Sequence, residues 1–335
     1  MNIRKFDNTE EFDEELISLE YSTDWYDDVP TRNFQFSLEE TAMIFNFGMG
    51  RIVDVAEDPY VYKGLFERLQ IEGVGLRKLD RVDLVGLLNK VAKKATGEAA
   101  IAVRDNKVVA CLSSGQTGND FRHLSSSEIF EKTKTSLYSF CGGEEDHFEG
   151  ILEDSSFITA RFELPVYREI KGDPYKVTIR MNTSDYGKSS VHFLASLQNG
   201  GIAMPVYEWS IKHRENNAMN AIDETLSMLE KSIDEGSAAL TVMESIPIEN
   251  PVGAMRRIGK QYRLPKRAVI PVIASYERSG NVPTTAFAVY RMMCEGLRNY
   301  ETGGSALYAK RYGSLIYSLI GIDWKNYDLP GSFSW

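Results

Sequence analysis

The chain has no run of eighteen apolar residues, so no segment is expected to cross a bilayer as a helix. Its first residues, MNIRKFDNTEEFDEE, lack an apolar h-region, which argues against a secretory signal. Cysteine is scarce. Cys111, Cys141 and Cys294 are odd in number and far apart, which fits buried thiols in a reducing compartment better than a disulfide framework. These absences predict a cytoplasmic protein with no membrane partner. Internal repeats, low-complexity tracts and obvious linkers are also missing.

Glycine is missing where a phosphate-binding loop would need it. NTSDYGKSS, residues 182–190, ends in Gly-Lys-Ser, but Asn182 stands where the first glycine of Gly-x4-Gly-Lys-Ser would be. The preceding KVTIRM alternates Lys176, Thr178 and Arg180 with Val177, Ile179 and Met181, as a half-exposed antiparallel strand does; a buried parallel strand is apolar on both faces. The expectation is a hairpin turn bent at Asp185-Tyr186-Gly187. FGMGR, residues 47–51, lacks the third glycine of a dinucleotide fingerprint. In CGGEEDHFEG, Cys141 and His147 flank three acids, and one Cys with one His does not make a zinc site, so no metal and no cofactor are expected.

What is present is charge, unevenly placed. The net charge is −10, yet residues 1–60 hold 4 Lys+Arg against 15 Asp+Glu, while residues 251–335 hold 12 against 5. The two ends of the chain are therefore oppositely charged. With 335 residues, the chain can bury one large core or two ordinary ones.

Periodicity divides the chain into three zones: residues 1–97, acidic and mainly helical; residues 98–214, an antiparallel β-rich core with one or two helices; and residues 215–335, a helical region packing on that core. In the first, Ser37-Leu38-Glu39-Glu40 fits a capping box, and DRVDLVGLLNKVAKK has helical spacing. In the second, EAAIAVRDNKVVACLSS reads as a hairpin turning at Asp105-Asn106, SSFITARFELPVY and PYKVTIRMN as strands, and SSSEIFEKTKTSLYSF as a helix capped by Ser125 and Glu128. In the third, NAMNAIDETLSMLEKSI, NPVGAMRRIGKQYRL, TTAFAVYRMMCEGL and SALYAKRYGSLIYSLI read as helices. The predicted class is α+β, a central antiparallel sheet with hairpins between helical N- and C-terminal regions.

Several of these pieces, in this order, resemble a phage/plasmid-like family, the domain of unknown function numbered nine hundred and thirty-two. They are AVRDNKVVACLSS with its following helix, RMNTSDYGKSS, Asn199-Gly200, IKHRENN and TTAFAVYRMMCEGL, spanning roughly residues 98–321. The Arg…Cys common before that family's Asn-Gly is absent from FLASLQNGG, and the acidic zone has no counterpart. The resemblance implies carriage by phages, plasmids or prophages in a bacterial host, and no catalytic residues.

The strongest chemical signal is MRRIGKQYRLPKR, residues 255–267, with six basic residues in thirteen. Arg256, Lys260 and Arg263 share one helix face, while Met255, Ile258 and Tyr262 form the apolar stripe. Lys266 and Arg267 follow Pro265 where a new helix dipole disfavours cations, a cost that an anion would offset. The expected site is thus a phosphate-binding ridge of Arg256, Arg257, Lys260, Arg263, Lys266 and Arg267, with Tyr262 available for stacking. The expected function is a non-enzymatic mobile-element protein that binds nucleic acid, single-stranded and as a homo-oligomer in its simplest form. Its alternative is an interaction factor that meets a host or phage protein through the acidic, aromatic TEEFDEELISLEYSTDWYDD. That arm is also expected to dock on the basic ridge and compete with nucleic acid. A third reading, a metal-dependent nuclease, would use Asp154, Glu169 and Lys171, with Glu169 and Lys171 on one strand face.

Overall fold

The computed structural model describes residues 3–48, 50–73, 75–113, 123–154, 156–186, 189–212, 218–301 and 306–335. The strands of the two large sheets are β1 (Ile3–Phe6), β2 (Thr23–Pro30), β3 (Gln35–Glu39), β4 (Ala42–Asn46), β5 (Ile52–Val55), β6 (Glu98–Arg104), β7 (Lys107–Ser113), β8 (His147–Glu153), β9 (Phe157–Ile170), β10 (Asp173–Thr183), β11 (Val191–Asn199) and β12 (Ile202–Ile211), and two short strands, β13 (Pro247–Ile248) and β14 (Thr284–Thr285), pair with each other. The helices are α1 (Thr9–Tyr21), α2 (Pro59–Arg68), α3 (Arg81–Ala92), α4 (Ser126–Cys141), α5 (Ala218–Ser227), α6 (Leu229–Met243), α7 (Pro251–Gln261), α8 (Lys266–Arg278), α9 (Ala286–Glu301) and α10 (Ala306–Tyr317). The class is α+β.

Local chemistry accounts for many of the boundaries. Asp105 and Asn106 adopt left-handed φ of 49° and 59°, the pair of positive φ values that a tight β6–β7 turn requires. The Ser125 hydroxyl accepts from the Glu128 amide at 3.1 Å and starts α4, and Asn250 caps α7 through the Gly253 amide at 3.1 Å. The chain's two six-stranded sheets have separate cores.

The first sheet, ordered β2-β6-β7-β5-β4-β3, corrects the expectation of a mainly helical zone ending at residue 97. Ser37 to Glu40 is no capping box: it lies at the end of β3 and in its turn into β4, where Phe36 stacks on Phe45 at 4.8 Å. β6 and β7, assigned above to the second zone, pair with β2 and β5 and so belong to this unit. α3 supports edge strand β3 through Asn89, whose side-chain amide donates to the Phe36 carbonyl and accepts from the Phe36 amide, both at 2.8 Å. α2 lies against β7 so closely that a Cβ on Gly64 would collide with the Cys111 carbonyl.

The second sheet is antiparallel throughout, β1-β8-β9-β10-β11-β12, and a meander from β8 onward. One face carries Ile158, Ala160, Phe162, Ile179, Met181, Phe193 and Ala195, all buried in the main core together with α4, α5 and α6. α1 joins this unit. Phe12 is fully buried among Phe6, Phe130 and Phe148, and an added Cβ on Gly150 of β8 would stand 2.6 Å from its ring. The acidic arm is therefore built into both units, β1 and α1 in one and β2 in the other. It does not lie on the basic ridge.

The β10–β11 connection is antiparallel, as expected of a turn, but its start is no solvated tip. The Tyr186 hydroxyl meets Thr23 Oγ1 and Arg104 Nη1, each at 3.1 Å, and so ties the second unit to the first. Gly187 and Lys188 of the Gly-Lys-Ser stretch lie outside the described residues. No helix among the described residues is long and apolar enough to cross a membrane.

Candidate nucleic-acid interface

α7 and α8 present the basic ridge, and the chain's own last residues run across it. α7 closes with a Leu264 amide bond to the Gly259 carbonyl at 2.9 Å and an Arg263 amide bond to the Lys260 carbonyl at 3.3 Å. This double closure normally carries glycine at its left-handed position, yet here Arg263 holds φ at 53°. A local preference is overridden at a ridge cation.

The six ridge cations are not equivalent. Arg256 donates to Glu277 Oε1 at 2.6 Å and to the Phe333 carbonyl at 3.1 Å; Arg257 donates to the Tyr327 carbonyl at 3.2 Å. Both are half-buried and occupied. Lys260, Arg263, Lys266 and Arg267 are exposed, and Arg267 already has a partner within the fold. Among the described residues, Lys260, Arg263 and Lys266 form no ion pair with a carboxylate.

Aromatic rings alternate with these cations. Arg257 and Lys260 sit over the Phe333 ring, 5.4 and 5.2 Å from its centroid, and Lys266 over Trp335 at 5.8 Å. Gly259 lets Trp335 approach: an added Cβ would lie 2.6 Å from the indole. Beside the indole is a cavity of about 260 Å³ walled by Arg256, Ile270, Ile273, Ala274, Glu277 and Trp335. Tyr262 is half-buried, its ring 6.5 Å from that of Tyr327. The tail is anchored upstream by Asp328, which accepts from the Glu249 and Asn250 amides at 2.8 and 2.7 Å. Sequence reasoning missed Phe333 and Trp335, which lie about seventy residues from the ridge and carry only the signal of two aromatics in the terminal SFSW.

The nuclease set does not assemble. Lys171 is not on a strand face with Glu169; it is in the β9–β10 turn with φ at 52°, and its Nζ bonds Glu244 at 2.9 Å. Asp154 precedes β9 at its opposite end, on the order of 40 Å from Glu169 at about 3.3 Å per residue. Asp154 instead lines a cleft of about 560 Å³ between the two units, with Glu57, Asp58, Arg104, Glu153 and Ser156, most of which already have partners. Among the described residues, no group of three or more His, Cys, Asp or Glu could hold a metal ion.

A second polar cluster lies on the other face of the second sheet. The Thr159 hydroxyl donates to Asn182 Oδ1 at 2.9 Å, and Asn182 Nδ2 donates to His192 Nδ1 at 3.4 Å. His192 Nε2 donates to Glu208 Oε1 at 2.6 Å, and the Ser314 hydroxyl of α10 donates to the same oxygen. This pattern needs neutral imidazole with its proton on Nε2, in accord with a His192 pKa lowered by burial. For Glu208 burial acts upward, but the bonds from His192 and Ser314 together prevail and lower its pKa. Lys310, one turn before Ser314, is pushed down to about 8 by burial, partly opposed by Glu208.

No family model, curated protein or solved structure matches this chain.

Proposed function

We propose that the chain binds single-stranded nucleic acid across the α7–α8 ridge and the C-terminal tail. The observation that carries this reading is the interleaving of Phe333 and Trp335 with Arg257, Lys260 and Lys266. Cations that neutralise phosphates beside rings that stack on bases are the two elements of sequence-tolerant single-strand binding. The cavity beside Trp335 adds a recess for a flat ring, with the Arg256–Glu277 pair at its wall to meet polar base edges. Arg263, kept where glycine would be easier, fits a position held for its charge. The family resemblance would set such a binder in a phage or plasmid context.

The test is fluorescence anisotropy with labelled single- and double-stranded oligonucleotides. Binding that favours the single strand and weakens at least tenfold in Phe333→Ala/Trp335→Ala supports the reading. Equal affinity in that variant, or none in the wild type at low salt, overturns it.

A further inference from the structure

We infer that Ser189 and Lys310 form a nucleophile and base pair for acyl transfer, an activity separate from the ridge. Lys310 Nζ lies 2.5 Å from Ser189 Oγ, across 121 residues of sequence. Both side chains are half-buried, screened from bulk water without being sealed from a ligand.

The surroundings hold this pair in place. Ser189 enters β11, whose end is fastened to β12 by a Ser190–Ser210 hydroxyl contact at 2.6 Å. Lys310 is carried by α10, which Ser314 fixes to Glu208. Glu208 is fixed in turn by His192, and His192 by Asn182 and Thr159 across β11, β10 and β9. A chain of five side chains thus sets the base against the sheet. His192 has both ring nitrogens engaged, and is a positioning residue. Lys310 Nζ donates to Ser189 Oγ, and the Ser189 hydroxyl itself donates to the Ser190 carbonyl at 2.6 Å, a bond that gives way when neutral Lys310 takes the proton.

A serine hydroxyl is a poor nucleophile unless an adjacent base takes its proton, and an amine does so only when neutral. Burial favours neutral Lys310, the direction this role requires. The charges that bear on it are Glu208 on β12, which opposes the effect, and Arg180 on β10, which acts on the neighbouring His192. In the reaction, Ser189 Oγ forms a bond to the carbonyl carbon of an ester or amide while its proton passes to Lys310 Nζ. The ammonium then protonates the departing alkoxide or amine as its bond to carbon breaks. Water then attacks the carbonyl carbon of the acyl-serine and gives a proton to Lys310; the carbon–Oγ bond breaks, the ammonium returns that proton to Ser189 Oγ, and the carboxylic acid departs with serine and neutral lysine restored.

The test uses an alkyl fluorophosphonate on the full chain, read by intact mass and peptide mapping. Attack by Ser189 would form a phosphorus–oxygen bond and expel fluoride. One adduct is expected, on Ser189, absent from Ser189→Ala and from Lys310→Met, with a labelling rate that rises with pH through about 8 in the wild type. If Lys310→Met fails to fold, Lys310→Arg keeps the positive charge but cannot act as a base, and must also abolish labelling. No adduct on folded wild-type protein at pH 9, an adduct elsewhere, or full labelling of a folded Lys310→Arg protein would each overturn the inference. Nucleic-acid binding by Ser189→Ala should equal that of the wild type, so the two proposals fail separately.

Discussion

Replacing Lys260 and Lys266 with glutamine tests the ridge most directly, because exposure states how many cations an incoming strand can use. Lys260, Arg263 and Lys266 are exposed and have no carboxylate partner among the described residues, whereas Arg256 pairs with Glu277 and Arg257 holds the Tyr327 carbonyl. Each phosphate neutralised on a single strand contributes roughly −0.7 to the slope of log affinity against log salt. Three contacts give about −2, so affinity should fall ~18-fold between about 50 and 200 mM salt. The double variant retains one of the three, with a slope of about −0.7 and a fall of about threefold over the same range. Losing the two ammonium groups also loosens Phe333 and Trp335, at a cost of about 1–2 kcal/mol from two exposed cation–π contacts. Thermal unfolding separates that effect from the electrostatic one. Anisotropy titrations at several salt concentrations give the slope, and a double variant that still falls ~18-fold would refute the assignment of phosphate contacts to Lys260 and Lys266.

Three further outcomes follow from particular residues. Arg263→Gly should raise stability by up to about 1 kcal/mol in urea unfolding, since glycine adopts φ of 53° without strain, and should lessen the salt slope by about 0.7; a loss of stability would contradict the strained helix end. Gly64→Ala should destabilise by about 1–3 kcal/mol because α2 must move off the Cys111 carbonyl, and a neutral result would show that the close approach is not obligatory. Asp185, which accepts from the Ser126 hydroxyl, has its pKa raised by burial to about 7. Its folded form holds a proton that the unfolded chain releases near pH 4, so this stabilising term is complete below that pH and is lost as pH rises toward 7. The residue keeps partial solvent contact, which discounts the effect to on the order of 1–2 kcal/mol. Melting midpoints should fall between about pH 4 and 7 in the wild type, and Asp185→Asn should remove that fall.

The sequence disclosed the ridge but not its state. The i, i+4, i+7 spacing of Arg256, Lys260 and Arg263 is a property of one helix, legible without any neighbour. That Arg256 and Arg257 are occupied by the tail, and that aromatic rings lie between the cations, depends on residues some seventy positions away. The acidic zone offered the charge match that made it the expected partner of the ridge, but charge complementarity carries no geometry. Phe12 and Leu16, apolar positions within that acidic helix, decide its place by burial in the second core.

By itself the sequence determined what short-range stereochemistry controls. The β6–β7 turn follows from the tolerance of Asp105 and Asn106 for positive φ, the starts of α4 and α7 from the caps Ser125 and Asn250, and the antiparallel β10 from its alternation. Only the tertiary structure decided that β2 to β7 form a sheet of their own, because β3 and β4 are short strands whose pairing is set by packing on Phe45 and support from Asn89. It also decided that Lys310 meets Ser189 and that Trp335 meets Gly259. Contacts at such separations leave no periodic trace in the chain; they exist because burial of apolar faces brings remote backbones together and carries the polar groups with them.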